Sequence, residues 1–380
     1  MPNPFKYGTI VTGEDFADRE DELNLLIKEL TNGQNILLYS PRRYGKSSLV
    51  SMALEKLSKE GILTAFIDVY GCVFLSDFID KIVKATIAPA YEKMDKAVNF
   101  LKSALSGLRP VITVNPADGS FEISYKKEVT SIGEKQVLSE VLDAPEKLAL
   151  AKNKPLVVVF DEFQEIKNFN GWKIENLMRT YFQHHKHVTY VFMGSKQHLM
   201  QEMISDSNRP FFKFAKPIPL GKIPKEKFKN FILEKFKKTN ITINPSTVDE
   251  ILTFTDGHPY FTQQVAHEIW NIACEKGAVQ DNDFSKTVDS ILQTHNDIFV
   301  NKWEQLTVFK KKLLVGLSQE NQSAIYSTAF IQKFELASAS HVTRAIKSML
   351  EDETLEKING AYALTDILFK EWIKRQSNKP

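Results

Sequence analysis

The sequence predicts an α/β protein: a parallel sheet with helices around it, then a helical lid, then a C-terminal winged helix. Three observations predict this. An apolar run, Asn35 to Tyr39, leads into SPRRYGKSSL and then into a segment with helical periodicity, Ser48 to Leu57. A second apolar run, Leu156 to Phe160, ends in two adjacent carboxylates, Asp161 and Glu162. Beyond Pro224 the strands stop, and residues 304–380 read as three helices followed by a hairpin.

Strand, loop ending in Gly-Lys-Ser, helix is the arrangement of a phosphate-binding P-loop. Loop amides and the helix N-terminus point at the anion, and the helix dipole favours negative charge there. Lys46 would reach the β- and γ-phosphates, and the Ser47 hydroxyl would ligate Mg²⁺. Gly45 lets the backbone pass close to the phosphates. Ser40, Pro41, Arg42, Arg43, Tyr44 and Ser48 complete the expected nucleotide-binding loop. Ser40 stands where the full G-x-x-x-x-G-K-[ST] pattern has glycine. The chemistry this loop implies is the binding of a nucleotide's phosphates, with Mg²⁺ as the metal.

Composition narrows the class. The chain has 380 residues, room for two or three domains, with 43% hydrophobic and 25% charged residues, as globular proteins have. A net charge of +2 neither demands nor excludes nucleic acid, so any basic surface must be local. No apolar run approaches the ~20 residues that span a bilayer, so no membrane partner is expected. The opening MPNPFKYG lacks an apolar signal core. Cys72 and Cys274 read as reduced core thiols, which fits a cytoplasmic setting.

The elements follow in order. GEDFADREDELNLLIKEL reads as an amphipathic helix with Asp18 at the N-cap, acids in the first turn, and Leu23, Leu26, Ile27 and Leu30 on one face. Gly61 ends the P-loop helix, and Ile62 to Val69 reads as a second buried strand. Residues 75–108 look helical. Val111–Val114 and Phe121–Tyr125 form a hairpin with Asp118-Gly119 between them, and residues 134–152 are helical again. The run Leu156–Phe160 suits a central parallel strand, whose C-terminal tip is where open α/β sheets bind ligands. Asp161 would hold Mg²⁺, and Glu162 would orient and polarise the attacking water. A helix near 172–186 precedes the strand Val188–Met193, and Ser195 at its tip is a candidate for contact with the γ-phosphate or the water. His184, His185 and His187 lack cysteines or carboxylates at zinc spacing and read as a solvated turn. Ile218–Leu220 closes a fifth strand. Arg209 is either an arginine finger or a surface side chain stacked on Phe211 or Phe212.

From Pro224 helices are expected over 225–239, 246–255, 259–276 and 283–299, with Asp256-Gly257-His258-Pro259 between the second and third. Residues 307–318, 328–334 and 340–350, with strands 355–358 and 361–364 about an Asn359-Gly360 turn, make the winged-helix pattern. Its recognition helix would expose Ser340, His341, Thr343, Arg344 and Lys347. DNA is one candidate partner for that face, through Arg344 and Lys347; a protein partner or a second copy of the chain is the other. The expected division is a P-loop domain over 1–222 with an insertion at about 72–153, a lid over 223–303, and a winged helix over 304–380.

Taken together, FADREDEL, SPRRYGKSSL, VVVFDEFQEI with Phe163 and Gln164, FMGS and DGHPYFTQQ resemble an AAA+-related P-loop ATPase of the archaeal-type ATPase family, within the STAND group. The resemblance covers nearly the whole chain. It implies an ASCE-type sheet and an Mg-ATP switch in which nucleotide closes the lid and the winged helix moves with it. It also implies that His258 and Pro259 stand near the nucleotide. A general similarity to origin-recognition-type ATPases adds the second expectation, an ATP-dependent DNA-binding regulator with little hydrolysis.

Overall fold

Five short strands pair in parallel to form the sheet that positions everything else between Arg19 and Gly221. The computed structural model describes residues 2–17, 19–91, 94–105, 110–114, 121–125, 131–169, 171–320, 325–358 and 360–377. It divides into two units: Arg19–Gly221, and Met1–Asp18 together with Lys222–Pro380.

In the first unit α1 (Glu20–Thr31) precedes β1 (Ile36–Tyr39), α2 (Lys46–Lys59) and β2 (Leu63–Asp68). Then come α3 (Leu75–Ile87), α4 (Met94–Ala104), the antiparallel pair β3 (Pro110–Val114) and β4 (Phe121–Tyr125), and α5 (Ser131–Lys152). The unit closes with β5 (Leu156–Asp161), α6 (Gly171–Phe182), β6 (Val188–Gly194), α7 (Gln197–Ser205) and β7 (Lys216–Pro219). The sheet order is β2-β5-β6-β1-β7, every pairing parallel. The strands with continuous apolar sequence, β1, β5 and β6, are the three inner ones, as burial on both faces requires. Pro217 and Pro219 lie on edge strand β7, where a missing N–H donor is tolerated. Phe160 stacks on Phe192 at 5.9 Å and Tyr190 on Phe182 at 3.9 Å. Such ring pairs add about 0.5–1.5 kcal/mol each beyond the area they bury.

Several local expectations change. The single helix over 75–108 breaks into α3 and α4 around a short 3₁₀ turn, Ala88–Ala90, because Pro89 offers no N–H to continue the ladder. Helix α1 starts at Glu20 with Arg19 at its N-cap position and no side-chain cap; the expected cap, Asp18, lies outside the described residues, as does the Asp118-Gly119 turn. The histidine turn is not uniformly solvated. The His185 side chain is buried, with Nδ1 2.6 Å from the Tyr190 hydroxyl and Nε2 3.6 Å from Asp143 Oδ1, and burial pulls its pKa down against the nearby carboxylates.

In the second unit a short 3₁₀ turn (Gly13–Asp15) is followed by α8 (Lys225–Lys238), α9 (Pro245–Phe254), α10 (Pro259–Ala273), α11 (Asp283–Thr294) and α12 (Asn296–Glu304). The helix expected over 283–299 splits at His295, whose ψ of 2° departs from helical geometry and whose ring Nδ1 sits 2.9 Å from Ile291 O. Next come α13 (Val308–Gln319), α14 (Thr328–Lys333), α15 (Ala339–Glu351), the hairpin β8 (Leu355–Ile358) and β9 (Ala361–Leu364), and α16 (Ile367–Ser377). Thr307, Ser327 and Ser338 each cap one of the three helices ahead of the hairpin, worth about 1 kcal/mol apiece. Gly360 takes φ +88°, as a tight hairpin turn needs; Asn359 lies outside the described residues.

Residues near the start of the chain, grouped by sequence with the P-loop domain, belong instead to this unit. Phe5 is buried with its ring 5.0 Å from Phe236, and Asp15 pairs with Lys235 at 2.7 Å. Cys72 is buried, but Cys274 is exposed at the end of α10 rather than in the core. Among the described residues no helix is long and apolar enough to cross a membrane.

Candidate functional site

The parallel register brings three loops side by side. Tyr39 lies opposite Gly194, and Phe160 opposite Phe192, so the chain leaves β1, β5 and β6 at one edge of the sheet. This is the C-terminal edge, where sheets of this kind bind ligands.

The loop after β1 runs into α2 through two left-handed residues, Arg43 (φ +65°) and Gly45 (φ +89°), with Gly45 at the N-cap position. Lys46 opens α2 and is buried. Its ammonium donates to Ser40 O at 2.9 Å, Pro41 O at 3.1 Å and Ser40 Oγ at 3.3 Å. Arg42 and Arg43 are exposed, and the Arg42 guanidinium lies 6.0 Å from the Tyr70 ring centre. Tyr44 is buried. Its carbonyl accepts from Arg19 Nη2 at 3.0 Å, and the same nitrogen donates to Gly221 O at 2.8 Å. Arg19 is only 2% exposed; Glu22 pairs with its Nη1 at 3.2 Å. Sequence reasoning did not assign Arg19 a role, although it is the arginine of FADREDEL just ahead of the acidic first turn.

The carboxylates sit against this loop. Ser47 Oγ donates to Asp161 Oδ2 at 3.2 Å, and the Glu162 amide to Asp161 Oδ1 at 2.9 Å. Burial first, then the neighbouring Glu162 charge, push the Asp161 carboxyl above the usual range, with Lys46 and Ser47 among the opposing groups. Glu162 has φ +49°, a conformation that costs a non-glycine residue about 1–3 kcal/mol. Its Oε2 accepts from Ser195 Oγ at 2.8 Å and from Gln164 Nε2. Gln164 is buried, and its Oε1 has no hydrogen-bond partner among the described residues. Gly194 leaves the room Gln164 needs: a Cβ there would collide with Gln164 Oε1 and lie 2.5 Å from Met200 Sδ. Lys46, Ser47, Asp161, Glu162 and Ser195 therefore form one connected cluster, with Gln164 as a member that the sequence pattern contained without a role.

Arg209 does not join it. Its guanidinium grips Glu175 with two bonds, 2.6 and 3.2 Å, and reaches Glu202 at 3.3 Å. Glu175 is buried, so this is an internal ion pair. The Phe214 ring carries Arg179, 4.3 Å from its centre. His258 and Pro259 belong to the other unit. His258 is buried at the N-cap position of α10 with its ring 4.7 Å from Phe261, and Pro259 is the first residue of that helix. On α15 the residues Ser340, His341, Thr343, Arg344 and Lys347 are all exposed. Among the described residues no cluster of three His, Cys, Asp or Glu side chains is arranged to hold a metal by itself.

This chain is similar in fold to several solved structures. The Walker-type ATPase paby2304 of Pyrococcus abyssi aligns over 98% of this chain and 99% of its own, with 17% identity and a TM-score of 0.67. The Aeropyrum pernix ORC2 protein in its ADP form aligns over 98% and 97%, with 11% identity and a TM-score of 0.53. Cdc6p from Pyrobaculum aerophilum aligns over 99% and 98%, with 11% identity and a TM-score of 0.51. No curated protein sequence matches. Residues 297–375 match the family described as a probable winged helix domain. Residues 16–265 match the ATPase domain predominantly from Archaea, about two thirds of the chain, and to that family this protein belongs.

Proposed function

We propose that the protein is an Mg²⁺-dependent ATPase whose hydrolysis cycle works as a conformational switch. The observation that carries this reading is the hydrogen-bonded line Ser47–Asp161–Glu162–Ser195 beside the Gly45–Lys46 turn. The residues fit the nucleotide and its cation. A hydroxyl and a carboxylate are enough protein ligands for Mg²⁺, which keeps several waters. The raised Asp161 carboxyl, crowded by Glu162, is a place where a cation relieves charge. The Lys46 ammonium is held by uncharged oxygens of the loop, from which it can turn to a phosphate.

Mg-ATP supplies the transferable phosphoryl group and a cation that offsets its charge. The chain does the rest. Residues 40–48 hold phosphate through amides and Lys46. Ser47 and Asp161 hold the metal. Glu162, fixed by Ser195 and Gln164, orients water and accepts its proton. Ser40 in place of the first pattern glycine is compatible with the loop, since its side chain is buried and bonded to Pro41 O at 3.1 Å.

The test is ATP turnover and retention by wild type and Glu162→Gln. We expect turnover to fall about 10²–10⁴-fold, the usual worth of a positioned general base, while ATP stays bound. No turnover by wild type, with retention unchanged in the variant, overturns the enzyme reading.

A second reading rests on the solvent-facing side of α15: an ATP-dependent DNA-binding regulator. It expects salt-dependent affinity for duplex DNA that weakens in Arg344→Ala/Lys347→Ala. No binding at low salt removes it and leaves a protein partner for that face.

A further inference from the structure

We propose that the first unit carries a second ligand site, for a small organic anion, at the end of the sheet opposite the P-loop. A cavity of about 450 Å³ opens there. It is lined by the segments that lead into four strands: residues 30–33 before β1, Ile62 before β2, 153–157 at the start of β5, and 186–189 at the start of β6. Asp161 closes the far end of six-residue β5, so this cavity lies about 17 Å from the carboxylate cluster at 3.3 Å per residue. Its volume falls within the ~300–1,000 Å³ of ordinary small-molecule sites.

The lining chemistry selects the ligand. Lys154, Lys186 and His187 supply positive or proton-donating groups, Asn32 and Thr189 supply neutral polar ones, and Leu30 and Ile62 supply apolar surface. No carboxylate lines the cavity among the described residues. Neither lysine ammonium pairs with an acid among the described residues, whereas Lys59, Lys84, Lys147, Lys196 and Lys216 of this unit do. Glu146, an acid bonded to that wall, is already committed. Glu146 accepts from the Lys186 amide at 3.1 Å and the His187 amide at 3.0 Å, and lies 2.7 Å from His187 Nδ1. It therefore fixes the segment that carries Lys186 while leaving both ammonium groups available. Two unneutralised ammonium groups over an apolar floor suit a phosphate or carboxylate joined to an apolar body.

The experiment is calorimetric titration of the full chain in a Lys46→Ala background, which silences the P-loop. Phenyl phosphate and benzoate are the probes, so that the two anion chemistries are separated. We expect saturable binding of at least one probe, weakened tenfold or more in Lys154→Ala/Lys186→Ala, with the melting temperature unchanged because both side chains are exposed. We also expect Glu146→Gln to weaken binding by loosening the segment 186–187. Absence of saturable binding by both probes overturns the proposal. So does binding that survives the double lysine substitution. The P-loop reading stands or falls on Glu162 and is untouched by either result.

Discussion

Removing Arg209 should cripple stability far more than chemistry. Arg209→Ala leaves Glu175, whose side chain is 2% exposed, without its bidentate partner. Breaking a buried ion pair from one side typically costs about 3–5 kcal/mol. For a unit of this size each kcal/mol moves the melting temperature by about 2–4 °C, so a fall of about 6–20 °C is expected. The loss should depend on pH in a definite direction. Burial already raises the Glu175 carboxyl, with Arg209 the main opposing group. Without Arg209 the folded-state pKa rises further above the unfolded value. The penalty is then greatest where Glu175 would ionise and fades as pH falls and the carboxyl takes up a proton. Thermal unfolding of the variant should differ from wild type more at pH 8 than at pH 5. Replacing both partners, Arg209→Met with Glu175→Leu, should recover most of the loss. ATP turnover measured well below the melting point should remain within a few-fold of wild type. A loss of about 10³-fold or more in turnover with the melting temperature unchanged would refute this reasoning and return Arg209 to the role of a finger.

Two further outcomes follow from buried contacts near the loop. Arg19→Ala should leave the Tyr44 and Gly221 carbonyls without that donor, costing about 1–3 kcal/mol by thermal or denaturant unfolding, and should weaken ATP binding because Tyr44 belongs to the loop. Gly194→Ala should overpack the space against Gln164 and Met200 by about 1–3 kcal/mol and disturb Glu162 through Gln164; turnover falling more than ATP affinity is the expected signature.

The sheet was legible because its signals are local. LVVVFDE announces a buried strand and an acidic tip within seven residues, and SPRRYGKSSL announces a turn into a helix by its own spacing. Ser195 could be named because it follows an apolar run directly. What escaped depends on partners far along the chain. Arg19 takes its meaning from carbonyls at 44 and 221, and Arg209 from an acid 34 residues earlier. Gln164 sat in plain view after Glu162, but only the left-handed turn at Glu162 and the bare Gly194 show why an amide belongs there. Helix breaks were missed for the opposite reason, excess trust in periodicity: Pro89 and His295 each interrupt a segment whose apolar pattern continues across the break.

The attachment of the segment around Phe5 and Asp15 to the α8–α10 helices has a consequence for biosynthesis. Asp15 meets Lys235, 220 positions away, and Asn3 meets Asn271, 268 positions away. As the chain emerges, this segment is made before the sheet and its partners after it, so it finds them only once the entire sheet has been made. The sheet and its loop can fold while the segment waits, since domains generally fold as units during synthesis. The late contacts carry long loop-closure distances, so they should form in the slowest step. An apolar side chain such as Phe5 then spends the interval exposed to solvent and to chaperones. The segment is thus delivered ahead of the sheet and takes its place behind it.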